Sequence, residues 1–167
     1  DVLKHFVWTQ LLRHLTRKDK PLWVIDTHAG AGCYSLEQGY AARNAEFETG
    51  IVRLWSRTDL PAPLADYVEQ VRAVNPDGVL RNYPGSPQFA LQMTRDQDRL
   101  RFFELHTNEH KALQDHFRSA GQALRVPAGA EAYARHGAGG GGHRGARADR
   151  RRLCGGPGPC RSAGRRS

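Results

Sequence analysis

Apolar residues at Val2, Leu3, Phe6, Val7, Leu11, Leu12 and Leu15 recur every three or four positions, which predicts an amphipathic helix over residues 1–17 packed on a core. Arg17-Lys18-Asp19-Lys20 ends it. Pro21-Leu22-Trp23-Val24-Ile25-Asp26 is a short continuous apolar run closed by an acid, the pattern of a first strand buried on both faces in a parallel sheet. It empties into the small-residue loop Thr27-His28-Ala29-Gly30-Ala31-Gly32, and a short helix or turn is expected next. Residues 44–56 and 61–75 read as two helices separated by Leu60-Pro61-Ala62-Pro63. Neither has a strand nearby, so together they are expected to be a helical insertion between the first and second strands. Asn75-Pro76-Asp77-Gly78 is a turn by composition. Tyr83-Pro84-Gly85-Ser86-Pro87 is a second loop, in which Ser86 is expected to cap a helix that has Pro87 at its first position. Leu100-Arg101-Phe102-Phe103-Glu104-Leu105 reads as the second strand, Asn108 as the cap of a helix through Phe117, and Ala123-Leu124-Arg125-Val126 as the start of a third strand. Strand, helices, strand, helix, strand is the first half of a doubly wound α/β sheet.

Length and composition change this picture mainly at the carboxyl end. The 167 residues suffice for one domain. Net charge is +8, but residues 1–125 hold 16 Lys and Arg against 15 Asp and Glu, so the excess lies in residues 126–167, with 9 Arg against Glu131 and Asp149. A nucleic-acid argument from global charge therefore fails for the body. In that last segment Gly, Arg, Ala and Pro make up 31 of 42 residues, and Leu153 is the only large aliphatic residue after Val126. Such a composition cannot bury enough surface to offset its ordering entropy, so residues 127–167 are expected to be a disordered tail beyond a 1–126 domain. GC-rich codons specify the same four residue types, and an out-of-frame reading of a GC-rich gene accounts for the tail. An Arg/Gly-rich RNA-binding tail is the competing account. No apolar run nears the ~20 residues that span a bilayer and no signal-peptide core is present, so no membrane partner and a cytoplasmic protein are expected. Asp1 opens the chain in mid-pattern, as a piece cut from something longer would.

Candidate chemistry concentrates at the two strand ends. Glycines after a buried strand let the backbone approach a ligand at the carboxyl edge of the sheet, although Ser35 stands where a nicotinamide fingerprint needs its third Gly. Glu104, at the end of the second strand, can accept both hydroxyls of a ribose. His106, His110 and His116 have only a superficial ligand spacing, and Cys33, Cys154 and Cys160 form no zinc pattern, so no metal is expected. Cys33 reads as a small residue tolerated in a tight turn.

Asp1-Val2-Leu3-Lys4-His5, Asp19-Lys20-Pro21, Asp26-Thr27-His28-Ala29-Gly30-Ala31-Gly32, Tyr83-Pro84-Gly85-Ser86-Pro87 and Glu104-Leu105-His106, in that order, resemble the bacterial 23S ribosomal RNA adenine-N6 methyltransferase J family. The likeness runs from residue 1 to about residue 125. It implies a partial class I S-adenosyl-L-methionine-dependent methyltransferase (Rossmann-like) fold with a helical insertion after the first strand. It also implies S-adenosyl-L-methionine as cofactor, 23S ribosomal RNA as partner, and a monomer when complete. His5, His28, Ser86 and Glu104 match the family's cofactor contacts, Glu104 on the ribose, and Lys4 is placed more loosely beside cofactor or substrate.

Three departures stand out. The family's Asp-Gly pair after the third strand is missing, and so is its Asp-Pro-Pro-Tyr motif after the fourth, since no two of the nine prolines are adjacent. In that motif the aspartate and a backbone carbonyl take the hydrogens of a poorly nucleophilic adenine amine while the tyrosine stacks the base. The family's aromatic and His-containing segment ahead of Asp1 is missing as well. No catalytic residue is assigned, and the chain is expected to lack the family's activity. The rival readings are a non-catalytic RNA-binding protein with a basic Arg/Gly tail and a module for another nucleotide.

Overall fold

The computed structural model describes residues 1–37, 46–119, 124–125 and 131–134, a mixed α/β arrangement of two small sheets and six helices. Helix α1, Val2–Leu15, closes at Thr16, whose hydroxyl donates to the Leu12 carbonyl at 2.8 Å. Its buried line is His5, Thr9 and Leu12, while Leu3, Val7 and Leu11 form an exposed stripe. The single core-facing stripe expected from periodicity is thus corrected. This helix is apolar on two sides, and spacing does not say which one the fold covers.

Strand β1, Trp23–Asp26, lies parallel to β4, Arg99–Phe103, with Val24 opposite Leu100 and Asp26 opposite Phe102. Val24, Leu100 and Phe102 point into a core completed by Leu12 of α1, Ala90 and Leu91 of α5 (Ser86–Met93), and Leu113 and Phe117 of α6 (Thr107–Ser119). The opposite face carries Trp23 and Ile25, each more than half exposed, with the guanidiniums of Arg99 and Arg101 over the Trp23 ring. The expectation of a strand buried on both faces is corrected, because among the described residues the helices cover one face of this sheet.

After the glycine loop comes a strand, not the expected short helix or turn. β2, Cys33–Ser35, pairs antiparallel with β3, Asn82–Pro84, and Cys33 is buried in this ribbon. Pairing with a segment some 50 residues away supplies hydrogen bonds that local sequence does not announce. Between the two strands lie α2 (Glu46–Thr49), α3 (Ile51–Trp55) and α4 (Ala62–Arg72), the expected helical insertion; residues 44–45 of its expected first helix lie outside the described residues. Ile51, Tyr67, Val68 and Val71 pack with Tyr83 and Phe89 in a second core, which Val2, Phe6 and Trp8 of α1 flank. Buried Asn75 stitches the following turn: its amide donates to the Val71 and Asn82 carbonyls and its oxygen accepts from the Arg81 and Asn82 amides. Gly78 takes φ +77° there, as the turn composition requires.

The link from α1 into β1 is held by residues more than 70 positions farther along the chain. Arg95 donates to the carbonyls of Thr16, Lys18 and Lys20 and pairs with Asp98, which also accepts from the Leu22 amide. Asp98 is fully buried; burial alone would raise its pKa, but the Arg95 side chain and the Arg95 and Leu22 amides outweigh that and hold it low.

The larger sheet has the order β1-β4-β6-β5, with β5 at Leu124–Arg125 and β6 at Glu131–Ala134. β6 is antiparallel to both β4 and β5, so β5 runs parallel to β4 as a crossover through α6 demands, yet is not its neighbour. The doubly wound sheet expected from the alternation of strand and helix would set the third strand directly beside the second, and this is corrected, since the short return after β5 places β6 between them. β6 also falls within the span expected to be disordered; the rest of 127–167 lies outside the described residues, as do Cys154 and Cys160. Among the described residues no helix is long and apolar enough to cross a membrane.

Candidate functional site

The carboxyl ends of β1 and β4 are joined through the glycine loop. The Ala29 amide donates to the Phe103 carbonyl at 3.0 Å, continuing the strand pairing, and the Gly30 amide donates to Glu104 Oε2 at 2.8 Å. The other oxygen, Oε1, accepts from the His106 amide at 2.7 Å. Gly30 has φ +64°, and a Cβ there would meet the Tyr34 hydroxyl, which itself accepts from the Ala31 amide at 3.1 Å. Gly32, at φ +83°, has the side chains of Leu113 and His116 where its Cβ would stand, and its carbonyl accepts from the Gly85 amide at 2.8 Å. The loop thus lies against both α6 and the entry to α5, and a Cβ at either glycine would be strained by the positive φ and crowded by these side chains.

Asp26 organises the other side. Its Oδ1 accepts from the His28 amide at 3.0 Å and its Oδ2 from the Ser86 hydroxyl. Ser86 was expected to cap α5; instead Gly85 stands at the cap position without a side-chain bond, and the Ser86 hydroxyl turns to the stronger, charged acceptor. Asn108 is likewise no cap, because α6 begins at Thr107 and places it inside the first turn. His28 is exposed and its Nδ1 meets the Thr27 hydroxyl at 2.9 Å.

His5 reaches the same region from below. It is buried, its Nδ1 lies 2.9 Å from the Tyr83 hydroxyl, and its ring lies 5.1 Å from that of Phe89. One turn along α1, Trp8 donates to the Ser86 carbonyl at 3.3 Å. Burial, followed by the charge of Lys4, pushes the His5 pKa down to about 3. Burial likewise raises Tyr34 to about 12. Lys4 itself pairs with Asp1 at the surface.

Three of the four expected contacts are thus tied to one another by short bridges: His28 and Ser86 through Asp26, and Glu104 through Gly30 of the same loop. His5 joins through Tyr83, whose strand leads into Gly85 and Ser86. Asp26 and Glu109 were not singled out from sequence. Asp26 is signalled only as the acid closing a strand. Glu109, in the first turn of α6, is raised above its ordinary pKa, first by burial and then by the charge of Glu104, and its Oε2 is buried without a hydrogen-bond partner among the described residues. A separate polar cavity between α1, α4 and α5, lined by Thr9, Arg13, Asp66, Gln70 and Gln92 among others, contains none of the four. Among the described residues no three His, Cys, Asp or Glu side chains gather as metal ligands.

The family described as Ribosomal RNA large subunit methyltransferase D, RlmJ matches residues 19–145. Ribosomal RNA large subunit methyltransferase J of Escherichia coli (strain K12) is 44% identical over 123 residues, which are 74% of this chain and 44% of that protein. The protein of the same name from Haemophilus influenzae is 41% identical over 118 residues, 70% of this chain and 42% of that one. A crystal structure of protein LPL1258 from Legionella pneumophila superposes with a TM-score of 0.63 at 41% identity, covering 68% of this chain and 42% of the other. The chain spans less than half the length of the curated relatives it matches.

Proposed function

From the premise that the chain belongs to the RlmJ family of ribosomal RNA large subunit methyltransferases, we propose that residues 1–119 form the S-adenosyl-L-methionine-binding part of a class I, Rossmann-like enzyme that methylates an adenine N6 of 23S ribosomal RNA. The observation that carries this reading is the bond from the Gly30 amide to Glu104, which brings the glycine loop and the acid of the next strand to one edge of the sheet. A ribose fits there: each Glu104 oxygen takes one amide hydrogen and keeps a lone pair for a hydroxyl. His28 and Ser86, steered by Asp26, stand at the loop and at the start of α5, and His5 supports the latter from α1. When bound, the cofactor supplies the sulfonium methyl to be transferred. The chain's own residues orient it and keep the loop narrow.

The family's Asp-Pro-Pro-Tyr motif does not occur in residues 1–167, so we assign the handling of the adenine amine to the part of the family's length that this chain does not span, and expect no methyl transfer by this chain alone. Calorimetric titration tests the cofactor reading. S-adenosyl-L-homocysteine is expected to bind, NAD not to bind, and Glu104→Ala to weaken binding about tenfold, the ~1.4 kcal/mol of a lost charged hydrogen bond. Equal affinity of Glu104→Ala and the unaltered chain overturns the ribose role. Salt-sensitive RNA retention without any cofactor binding favours the RNA-binding alternative.

A further inference from the structure

Three polar groups from three elements form one buried line. Tyr67 of α4, Tyr83 of β3 and His5 of α1 are 0%, 7% and 4% exposed. The two hydroxyls are 2.8 Å apart, and Tyr83 Oη stands 2.9 Å from His5 Nδ1. Each phenol owns a single hydrogen. If His5 Nδ1 donated to Tyr83, Tyr83 would donate to Tyr67, and the Tyr67 hydrogen would be left in the core with no other acceptor among the described residues. In the opposite direction Tyr67 donates to Tyr83, Tyr83 donates to Nδ1, and both phenol hydrogens are accepted. The imidazole then carries its proton on Nε2.

We infer that Tyr67 and Tyr83 are positioning residues that hold His5 as the neutral Nε2–H tautomer, so that the cofactor site receives an uncharged hydrogen-bond donor and never an imidazolium. This rests on the reading of His5 as a cofactor contact. It names the ligand chemistry that the residue suits: a molecule bearing its own positive charge close to an acceptor, as the sulfonium and carboxylate of S-adenosyl-L-methionine are. A protonated His5 would repel the sulfonium, whereas a neutral N–H can serve the acceptor. The surroundings agree. Lys4 on its own helix opposes a positive charge on the ring, Tyr67 and Tyr83 are neutral phenols raised further by burial, and α5 offers the Phe89 ring.

The test follows the histidine rings of the full chain by proton–nitrogen correlation spectra, with His5 identified by its loss in His5→Gln. The unaltered chain is expected to show the Nε2–H pattern without titration between about pH 8 and about pH 5. Tyr83→Phe keeps the ring and removes the donor; it is expected to mix the tautomers and raise the His5 midpoint by about one unit or more. Tyr67→Phe, one step farther, should shift it less, and reports should Tyr83→Phe fail to fold. In Tyr83→Phe, S-adenosyl-L-methionine should lose affinity relative to S-adenosyl-L-homocysteine, which lacks the sulfonium charge, on acidification, whereas their ratio stays flat in the unaltered chain. An Nδ1–H tautomer, titration of the unaltered chain near 6.5, or variants that titrate as it does overturn the inference. The expected tautomer with no response to either ligand overturns the cofactor reading alone and supports the positioning role.

Discussion

Val24, Leu100, Phe102, Leu113 and Phe117 form an apolar cluster between sheet and helices, whereas the neighbouring cluster around Phe89 encloses the polar line of Tyr67, Tyr83 and His5. The first is close to what burial of apolar area alone would build, and Phe102 stacked on Phe117 at 5.4 Å is its centre. The second gives up some of that advantage, since each buried hydroxyl and ring nitrogen is tolerated only while its partner is in place. Packing in the first can be approximate. In the second, direction matters, because hydrogen bonds specify which atom faces which. The glycine loop lies between them: Ala29 belongs to the apolar cluster, while the Gly30 amide goes to Glu104 and the Gly32 carbonyl takes the Gly85 amide, next to Ser86 at the start of α5. One core holds the sheet together and the other aims the site.

The contrast is open to breaking, most strongly in the apolar cluster. Phe102→Ala removes a fully buried ring and is expected to cost about 3–5 kcal/mol in denaturant unfolding; a loss below ~1 kcal/mol would show that this cluster is not the main core. Gly30→Ala acts at the seam. The positive φ disfavours it by about 1–2 kcal/mol, and the added Cβ must displace the Tyr34 hydroxyl, so S-adenosyl-L-homocysteine binding should fall further than stability does.

Acid sharpens the comparison without a mutation. The His5 pKa is lowered to about 3 in the folded chain against 6.5 when free, so below 6.5 the unfolded chain binds the extra proton. Stability from this group is present above 6.5 and falls by up to about 1.4 kcal/mol per pH unit on acidification toward 3. Unfolding curves at pH 7 and pH 5 for the unaltered chain and for His5→Gln should differ in that slope, and parallel curves would place His5 outside the core. The smallest expected effect is Ser86→Ala, about 1 kcal/mol for its bond to Asp26, with the change read in ligand affinity more than in melting.

Much of the scaffold was legible in the residues. Helix α1, strands β1 and β4, the loop between them, the inserted helices and the turn at Asn75 follow from apolar spacing, proline placement and small-residue runs, all of which act within a few residues of one another. The family likeness was legible too, because five short segments kept their order. Its match to residue 145 passes the compositional break at Val126, so composition marked a change in character there without marking the end of the resemblance.

What spacing does not contain are partners far apart in the chain. Which side of α1 is buried depends on α4 and α5 arriving against it. Cys33–Ser35 becomes a strand only because Asn82–Pro84 lies alongside. The Ser86 hydroxyl prefers Asp26, 60 residues away, to its own helix end, and His5 meets Tyr83 across 78 residues. β6 separates β4 from β5 although the alternation of strand and helix predicted neighbours. Propensity and periodicity are local free energies of the backbone and its nearest side chains, so the residues by themselves determined the elements and their order. The charge state of His5 and the aim of Ser86 are set by desolvation and by hydrogen bonds closed through space, and those exist only once the chain has folded.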